Sequence, residues 1–261
     1  MTDKIKQIFV NNNIDSVGFC PFAEVEDKLL ECRAKQHIVP DCKTVITFLL
    51  PYYFGEFKGN LCRYSSVPDY HIVAGEYIQR IIGDLKQLFP EHSFYGFCDN
   101  SPIPEVYAAA VSGLGVIGKN GLLINEKYGS FVFIADIVTD LDIGDYNIQK
   151  PKDCENCGAC EKACAAGDIF DKSKCLSKIT QQKAELTSEQ KELIKKSGVI
   201  WGCDACQNVC PHNKNLPISA LPEFMDIKPS FCAGDSIEGR AFAYRGRKVI
   251  ERNFNLIMEE N

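Results

Sequence analysis

Eight of the fourteen cysteines lie between positions 154 and 210, in two groups whose spacing few architectures can use. The first group reads Cys154-Glu-Asn-Cys157-Gly-Ala-Cys160-Glu-Lys-Ala-Cys164, which is C-x2-C-x2-C-x3-C. The second reads Cys203-Asp-Ala-Cys206-Gln-Asn-Val-Cys210-Pro211, and Cys175 lies between the two groups. Three thiols within seven residues suit an iron–sulfur cubane, so the spacing predicts bound [4Fe–4S] clusters.

The first group has the spacing of bacterial ferredoxins, in which three cysteines bind one cluster and the fourth binds another. Ala165 stands where ferredoxins usually have proline, which affects backbone stiffness and not ligation. A tight loop covers three corners of a cubane, so the fourth ligand comes from elsewhere in the chain. We therefore expect crossed ligation of two clusters, which brings them close enough for electron transfer. One set is Cys154, Cys157, Cys160 and Cys210; the other is Cys164, Cys175, Cys203 and Cys206.

Zinc and disulfides are the alternatives for these cysteines. Structural zinc sites use separated C-x2–4-C pairs, often with histidine, and a disulfide framework is typical of small secreted proteins.

The N-terminus has no apolar core followed by a cleavage site, and no apolar run reaches the roughly 18–20 residues that span a bilayer. We therefore expect a cytoplasmic protein without a membrane segment. The six scattered cysteines are most simply small buried apolar residues: Cys20, Cys32, Cys42, Cys62, Cys98 and Cys232.

The first 150 residues predict alternating helices and strands. TVITFLLPYY and SFVFIADIVTD are apolar and rich in β-branched residues, so they indicate buried strands, and SFYGFCD and GLLIN indicate two more. Apolar residues at helical spacing predict a helix from Tyr70 to Leu88. We expect an α+β fold with three parts: a mixed α/β cofactor- and substrate-binding domain (1–150), a ferredoxin-like double [4Fe–4S] domain (151–215) and a C-terminal segment packing on the core (216–261).

Three features of the first domain are candidates for chemistry. Asp99 ends a predicted strand, where catalytic carboxylates are common, although an aspartate before Ser-Pro is also a turn former. Cys62-Arg63-Tyr64 and Asp69-Tyr70-His71 precede a helix, which Asp69 would cap in the simplest interpretation. The glycines from Gly113 to Gly121 resemble a dinucleotide or phosphate loop, but a strand follows them where both motifs need a helix. Close backbone approach to a bulky cofactor fits better.

The ordered set RYSSVPDYH, FCDNSP, GLGVIGKNGLLI, YGSFVFIADIVTD, the first cysteine group, KCLSKIT, GCDACQNVCPHN and YRGRKVIERN resembles the epoxyqueuosine reductase family. The resemblance implies two [4Fe–4S] clusters and a cobalamin held by the N-terminal domain. It places Asp99 on the family's proposed proton donor, which also contacts cobalamin. It places the other cobalamin-binding positions on Arg63, Leu123, Ile134 and Ile137.

The resemblance also implies a reaction, reduction of epoxyqueuosine to queuosine in tRNA, with electrons from an external donor such as ferredoxin or flavodoxin. Many members continue past the Arg-Asn motif into helical repeats that help hold tRNA, so we expect a short form here. We also expect a monomer. Candidate tRNA contacts are the lysines between Lys172 and Lys196 and the arginines from Arg240 to Arg252, which are equally compatible with solvated faces. The net charge of −6 favours no broad nucleic-acid-binding face.

Two other functions are compatible with the sequence. One keeps both cofactors and acts on a different small substrate, as reductive dehalogenases do. The other is a ferredoxin-type electron carrier that has no substrate of its own. Cobalamin binding separates the carrier from both enzymes, and conversion of epoxyqueuosine in tRNA separates the two enzymes.

Overall fold

The computed structural model of the protein describes residues 1–259. Its strands are β1 Val17–Pro21, β2 Thr44–Pro51, β3 Phe94–Phe97, β4 Val116–Ile117, β5 Leu123–Ile124 and β6 Val132–Thr139. Its α-helices are α1 Thr2–Asn11, α2 Arg63–Ser66, α3 Tyr70–Leu88, α4 Glu105–Val111, α5 Ala159–Ala163, α6 Leu176–Thr180, α7 Ser188–Ser197, α8 Ala205–Asn208 and α9 Arg247–Met258.

The chain forms two units that do not follow its sequence order exactly. The first unit contains Met1–Pro51 and His71–Asn156; the second contains Tyr52–Tyr70 and the chain from Cys157 onward. The cysteine-rich part thus begins close to the position where the composition changes. The domain bounds given above stay a prediction, and residues 260 and 261 of the predicted C-terminal segment lie outside the described residues.

An antiparallel sheet of order β1-β2-β6-β3 organises the first unit. Its two inner strands are the apolar stretches that the sequence predicts as buried strands, and all eight residues of β2 are buried. Their register places Ile46 opposite Ile137 and Thr47 opposite Asp136. Strand β1 was not predicted because glycine and proline interrupt its apolar pattern. Gly18 is required there, since a Cβ atom would lie 2.4 Å from the carbonyl oxygen of Ser112.

Helix α3 has the bounds predicted from its apolar periodicity, and its buried side chains form one stripe. Helix α4 packs against β1, β2 and β6 and buries four consecutive residues, Ala108–Val111. The small alanines allow this close approach of the helix to the sheet. Helix α4 therefore fixes the position of the loop that precedes it, which contains Asp99.

The glycine-rich segment after α4 forms the short hairpin β4–β5. Strands β4 and β5 lie here, so the segment does not lead into the helix N-terminus on which dinucleotide and phosphate loops depend. The close approach at Gly115 is to the chain itself, because a Cβ atom there would lie 2.4 Å from the carbonyl oxygen of Ile124.

The second unit has its own apolar core around Trp201, which is completely buried. Residues of α9 pack into this core, including Val249 and Ile250. Helix α7 begins with a capping box between Thr187 and Gln190. Within residues 1–259, no helix combines the length and the apolarity that crossing a bilayer demands.

Candidate functional site

Asp99 lies in the loop between β3 and α4, with its side chain 62% exposed. Its carboxylate oxygen Oδ2 is 3.1 Å from Nε2 of His71, which follows the first residue of α3. Its backbone has a φ of 62°, in the left-handed region that aspartate tolerates better than most residues. The carbonyl oxygen of Asp99 accepts the N–H of Ser101 at 2.8 Å. The loop thus presents an accessible carboxyl group beside an imidazole.

Two further carboxyl groups lie behind this loop. Oε1 of Glu105, the first residue of α4, accepts the backbone N–H of Asp99 at 2.7 Å. Burial, followed by the negative charge of Asp136, raises the pKa of Glu105 well above its ordinary value. Asp136 is completely buried in β6, and burial raises its pKa to about 7, although the hydroxyl of Thr47 opposes this shift by donating to Oδ1 at 2.5 Å. Three acids therefore converge at one end of α4.

The predicted cobalamin-binding residues of the first unit fall on both faces of the sheet. Leu123 and Ile134 belong to one apolar cluster, which α4 also contributes to through Ala109. Ile137 points to the opposite face, since side chains alternate along a strand, and it is completely buried. Strand β3 pairs only with Asp136–Thr139, so the first half of β6 extends beyond the end of β3.

In the second unit, the two cysteine groups are brought together by two short helices. Helix α5, which contains Cys160, packs against α8, which contains Cys206. Burial raises the pKa of the Cys203 thiol to about 11, and Cys206 and Cys175 lie close enough to raise it further. Three of the four thiols predicted for the second cluster are therefore neighbours, and within residues 1–259 no disulfide joins any cysteines.

Backbone N–H groups point at two of the predicted ligand sulfurs. In the first unit the N–H of Lys119 donates to Sγ of Cys154 at 3.3 Å. In the second unit the N–H of Ala205 bonds to the sulfur of Cys203 and lowers the pKa of that thiol against the effect of burial. Hydrogen bonds of this kind stabilise thiolates and tune cluster potentials. Among the described residues, no group of three or more histidine, cysteine or acidic side chains is arranged to hold a single metal ion.

Arg63 lies in the second unit, where its side chain is 3% exposed. Its Nη1 atom is 3.7 Å from Oδ2 of Asp204, and its Nη2 atom donates to the carbonyl oxygen of Gly55 at 3.1 Å. The guanidinium also lies over the rings of Tyr53 and Phe57, 4.9 and 4.8 Å from their centroids. Burial raises the pKa of Asp204, whereas Arg63 lowers it. The arginine therefore contacts Asp204, which lies between the predicted cluster ligands Cys203 and Cys206.

Most of the arginines considered for tRNA binding are used within the chain. Arg240 is buried and paired with Asp226. Arg252 donates to the carbonyl oxygens of Gln182 and Ala184 at 2.9 and 3.1 Å. Arg247 forms a half-buried pair with Glu251 at 3.1 Å. These contacts account for the arginines as structural residues and leave the lysines of α7 as the better candidates.

Comparison with known proteins finds two family matches along this chain. Residues 33–100 match the family "Epoxyqueuosine reductase QueG, DUF1730", and residues 153–213 match the "4Fe-4S double cluster binding domain". An epoxyqueuosine reductase from Leadbetterella byssophila is 32% identical over 87% of this chain and 77% of its own length. The chain belongs to the epoxyqueuosine reductase family. Another member, from Lactococcus garvieae, is 27% identical over 97% of this chain and 85% of its own length.

Solved epoxyqueuosine reductases have the same fold. The Streptococcus thermophilus structure superposes with a TM-score of 0.83 at 22% identity, covering 99% of this chain and 80% of that one. A complex of an epoxyqueuosine reductase with an epoxyqueuosine-modified stem loop of tRNA-Tyr gives the same TM-score at 23% identity, covering 98% and 80% of the two chains. The predicted mixed α/β fold with a double [4Fe–4S] domain is thus confirmed, and the named relatives are oxidoreductases.

Sequence reasoning missed Glu105 and Asp136. A signal was present for Asp136, because it is the one charged residue within the otherwise apolar stretch VFIADIVT. Charged residues are rarely buried in a central strand unless something requires them there. Glu105 gave no such signal, since a glutamate at the start of a helix is ordinary capping chemistry.

Proposed function

We propose that this protein reduces the epoxide of epoxyqueuosine in tRNA to the alkene of queuosine. The observation that carries the proposal is similarity along almost the whole chain to named epoxyqueuosine reductases. The family member solved with an epoxyqueuosine-modified stem loop supports tRNA as the substrate. The accessible Asp99 carboxyl group beside His71 supplies a candidate acid.

The eight cysteines of the two groups would bind the clusters in the crossed arrangement. The residues fit such clusters because Cys175, Cys203 and Cys206 are neighbours, and because N–H groups point at the sulfurs of Cys154 and Cys203. When bound, the clusters would pass single electrons. The protein's contribution would be to hold the sulfurs as thiolates and to set the cluster potentials.

The cobalamin site proposed from the family resemblance comprises Arg63, Asp99, Leu123, Ile134 and Ile137. Leu123 and Ile134 fit an apolar corrin, since they share one cluster at the half of β6 that extends beyond β3. The assignments of Ile137 and Arg63 rest on the resemblance alone, because one is buried on the opposite face and the other is bound within the second unit. Cobalamin, when bound, would supply a strongly reducing, nucleophilic metal centre.

Asp99 would donate a proton to the oxygen that leaves the epoxide. A carboxyl group serves as an acid near neutral pH when burial or nearby negative charge raises its pKa. His71 is positioned to orient the carboxyl group of Asp99 by a hydrogen bond, and Glu105 behind the loop holds the backbone N–H of Asp99.

Three further features belong to the proposal. A small single-electron carrier such as ferredoxin or flavodoxin would reduce the clusters. The lysines of α7, among them Lys191 and Lys196, would contact the tRNA backbone. The protein would act as a monomer in the cytoplasm, where tRNA is modified.

Anaerobic purification followed by turnover tests the proposal. We expect about eight irons with matching sulfide, at four per cubane, together with bound corrin and conversion of an epoxyqueuosine-modified stem loop. The Asp99→Asn variant, which keeps the shape of the side chain, should retain the cofactors and lose about 10²-fold or more in rate. Protein that binds all cofactors and leaves the stem loop unchanged would refute the assigned substrate, and full turnover by the variant would refute the acid.

A further inference from the structure

A buried acid without an obvious structural purpose lies behind the Asp99 loop. Asp136 is in the central strand β6, completely excluded from solvent. One of its oxygens accepts the Thr47 hydroxyl at 2.5 Å, whereas Oδ2 has no hydrogen-bond partner within the part of the chain that the structure describes. Asparagine or threonine would fill the same space at less cost, because an ionised carboxylate in an apolar interior is expensive.

The groups that face Asp136 indicate that it holds a proton. From β2 it meets the neutral Thr47, and from β1 the thiol of Cys20, whose pKa burial raises to about 12. From α4 it meets Glu105, which is itself half-buried and more easily protonated than usual. No cation among the described residues pairs with Asp136 within ion-pair distance. Since Thr47 donates to Oδ1, the proton belongs on Oδ2.

Glu105 connects this buried acid to the loop. Its Oε1 atom is occupied by the N–H of Asp99 at 2.7 Å. The negative charges of both Asp136 and Asp99 raise the pKa of Glu105, so its carboxyl group lies near each of them, and His71 opposes the shift from the far side of Asp99. The order of the acids from the interior outward is therefore Asp136, Glu105, Asp99.

The chemistry requires more protons than Asp99 carries. Conversion of an epoxide to an alkene breaks two C–O bonds, takes up two electrons and releases the oxygen as water, which needs two protons. The electrons come from the external single-electron donor. Asp99 delivers one proton and is then a carboxylate. A second proton has to arrive before the oxygen can leave as water.

We propose that Asp136 and Glu105 store the second proton and pass it outward to Asp99 after Asp99 has donated its own. The inference rests on the proposed reduction of epoxyqueuosine. Only O–H bonds change. The proton leaves Oδ2 of Asp136, which makes no hydrogen bond to any described residue in the resting structure, and reaches the carboxyl group of Glu105 when that side chain turns toward it during turnover. From Glu105 it passes to the Asp99 carboxylate and neutralises it. Solvent restores the stored proton after turnover. Both residues would act through Asp99, so both are positioning residues.

The test compares Asp136→Asn with the wild-type holoenzyme under anaerobic conditions. Asparagine keeps the volume and the bond to Thr47 but has no proton to release. We expect kcat for a modified stem loop to fall roughly 10²-fold with KM unchanged. The infrared absorption of protonated carboxyl groups, recorded without substrate, should contain a C=O band in the wild type that is missing from the variant. Asp142→Asn, an exposed aspartate beyond the same strand, is the matched control and should behave as wild type.

A second variant keeps the proposal testable if Asp136→Asn folds poorly. Thr47→Val removes the donor that lowers the pKa of Asp136. The pH at which the infrared band disappears and the pH of the alkaline limb of the pH–rate profile should therefore both rise. The proposal is overturned if Asp136→Asn turns over at the wild-type rate, or if Thr47→Val shifts neither quantity. A wild-type enzyme that does not convert the stem loop would instead refute the substrate and this proposal together.

Discussion

The carboxylate of Asp204 accepts the backbone N–H of Arg63 at 2.6 Å and lies 3.7 Å from its guanidinium, with both side chains buried. Asp204 stands between Cys203 and Cys206, so this contact ties the Tyr52–Tyr70 segment of the second unit to the second cysteine group. Two predicted cluster ligands are thereby held by a part of the chain that is more than one hundred residues away in sequence.

Removing the arginine should leave a buried charge without its partner. We expect Arg63→Met to lower the free energy of unfolding by about 3–5 kcal/mol, the usual cost of breaking a buried pair from one side. The measurement is anaerobic denaturant unfolding of the iron-loaded protein. In an Asp204→Asn background the same substitution should cost much less, and equal costs in the two backgrounds would show that the pair is not coupled.

Two glycines with similar backbones should respond very differently to alanine. Gly202 and Gly198 have φ values of 72° and 66°, so alanine is strained at both, at about 1 kcal/mol. At Gly202 the new Cβ atom would also lie 2.0 Å from Sγ of Cys62, whereas at Gly198 nothing lies within 4 Å. We expect Gly202→Ala to be clearly less stable than Gly198→Ala and to lose iron, as measured by thermal unfolding and iron content. Equal stabilities would show that the chain at Cys62 relaxes without cost.

Loss of the Asp136 proton should make the folded protein less stable as the pH rises. Its pKa is about 7 when folded against 3.8 for an ordinary aspartate, so between about pH 4 and pH 7 the unfolded chain releases a proton that the folded chain keeps. Stability from this group is full below pH 4 and declines by at most about 1.4 kcal/mol per pH unit up to pH 7. The difference between wild type and Asp136→Asn, measured by urea unfolding at several pH values, isolates this contribution. A difference independent of pH would contradict the raised pKa.

Cys175 is the predicted cluster ligand that lies outside both cysteine groups, and its role can be tested directly. We expect Cys175→Ser to weaken or remove one cluster, so that iron falls from about eight toward about four per chain and one set of reduced-cluster signals in electron paramagnetic resonance is lost. Cys232→Ser, an exposed cysteine outside both groups, should keep all its iron. Full iron and unchanged spectra in Cys175→Ser would remove Cys175 from the ligand set.

Patterns confined to neighbouring residues were sufficient for much of the fold. The helical spacing of α3, the β-branched stretches of β2 and β6 and the cap of α7 each express a preference of the local backbone, so they could be predicted. The cysteine spacing predicted the [4Fe–4S] domain for the same reason, since three ligands of a cubane come from one loop. Strand β1 could not be predicted, because its place in the sheet depends on Ser112 and on β2 and not on its own composition.

The sequence alone therefore determined the family motifs, the two cysteine groups and the position of Asp99 at the end of a strand. Only the tertiary structure decided that Asp136 and Glu105 converge behind Asp99 and that Arg63 is paired with Asp204. The reason is physical. Ligand spacing and helix periodicity are short-range properties of the chain, whereas the protonation of a buried acid and the pairing of a buried charge depend on which distant residues exclude water from them.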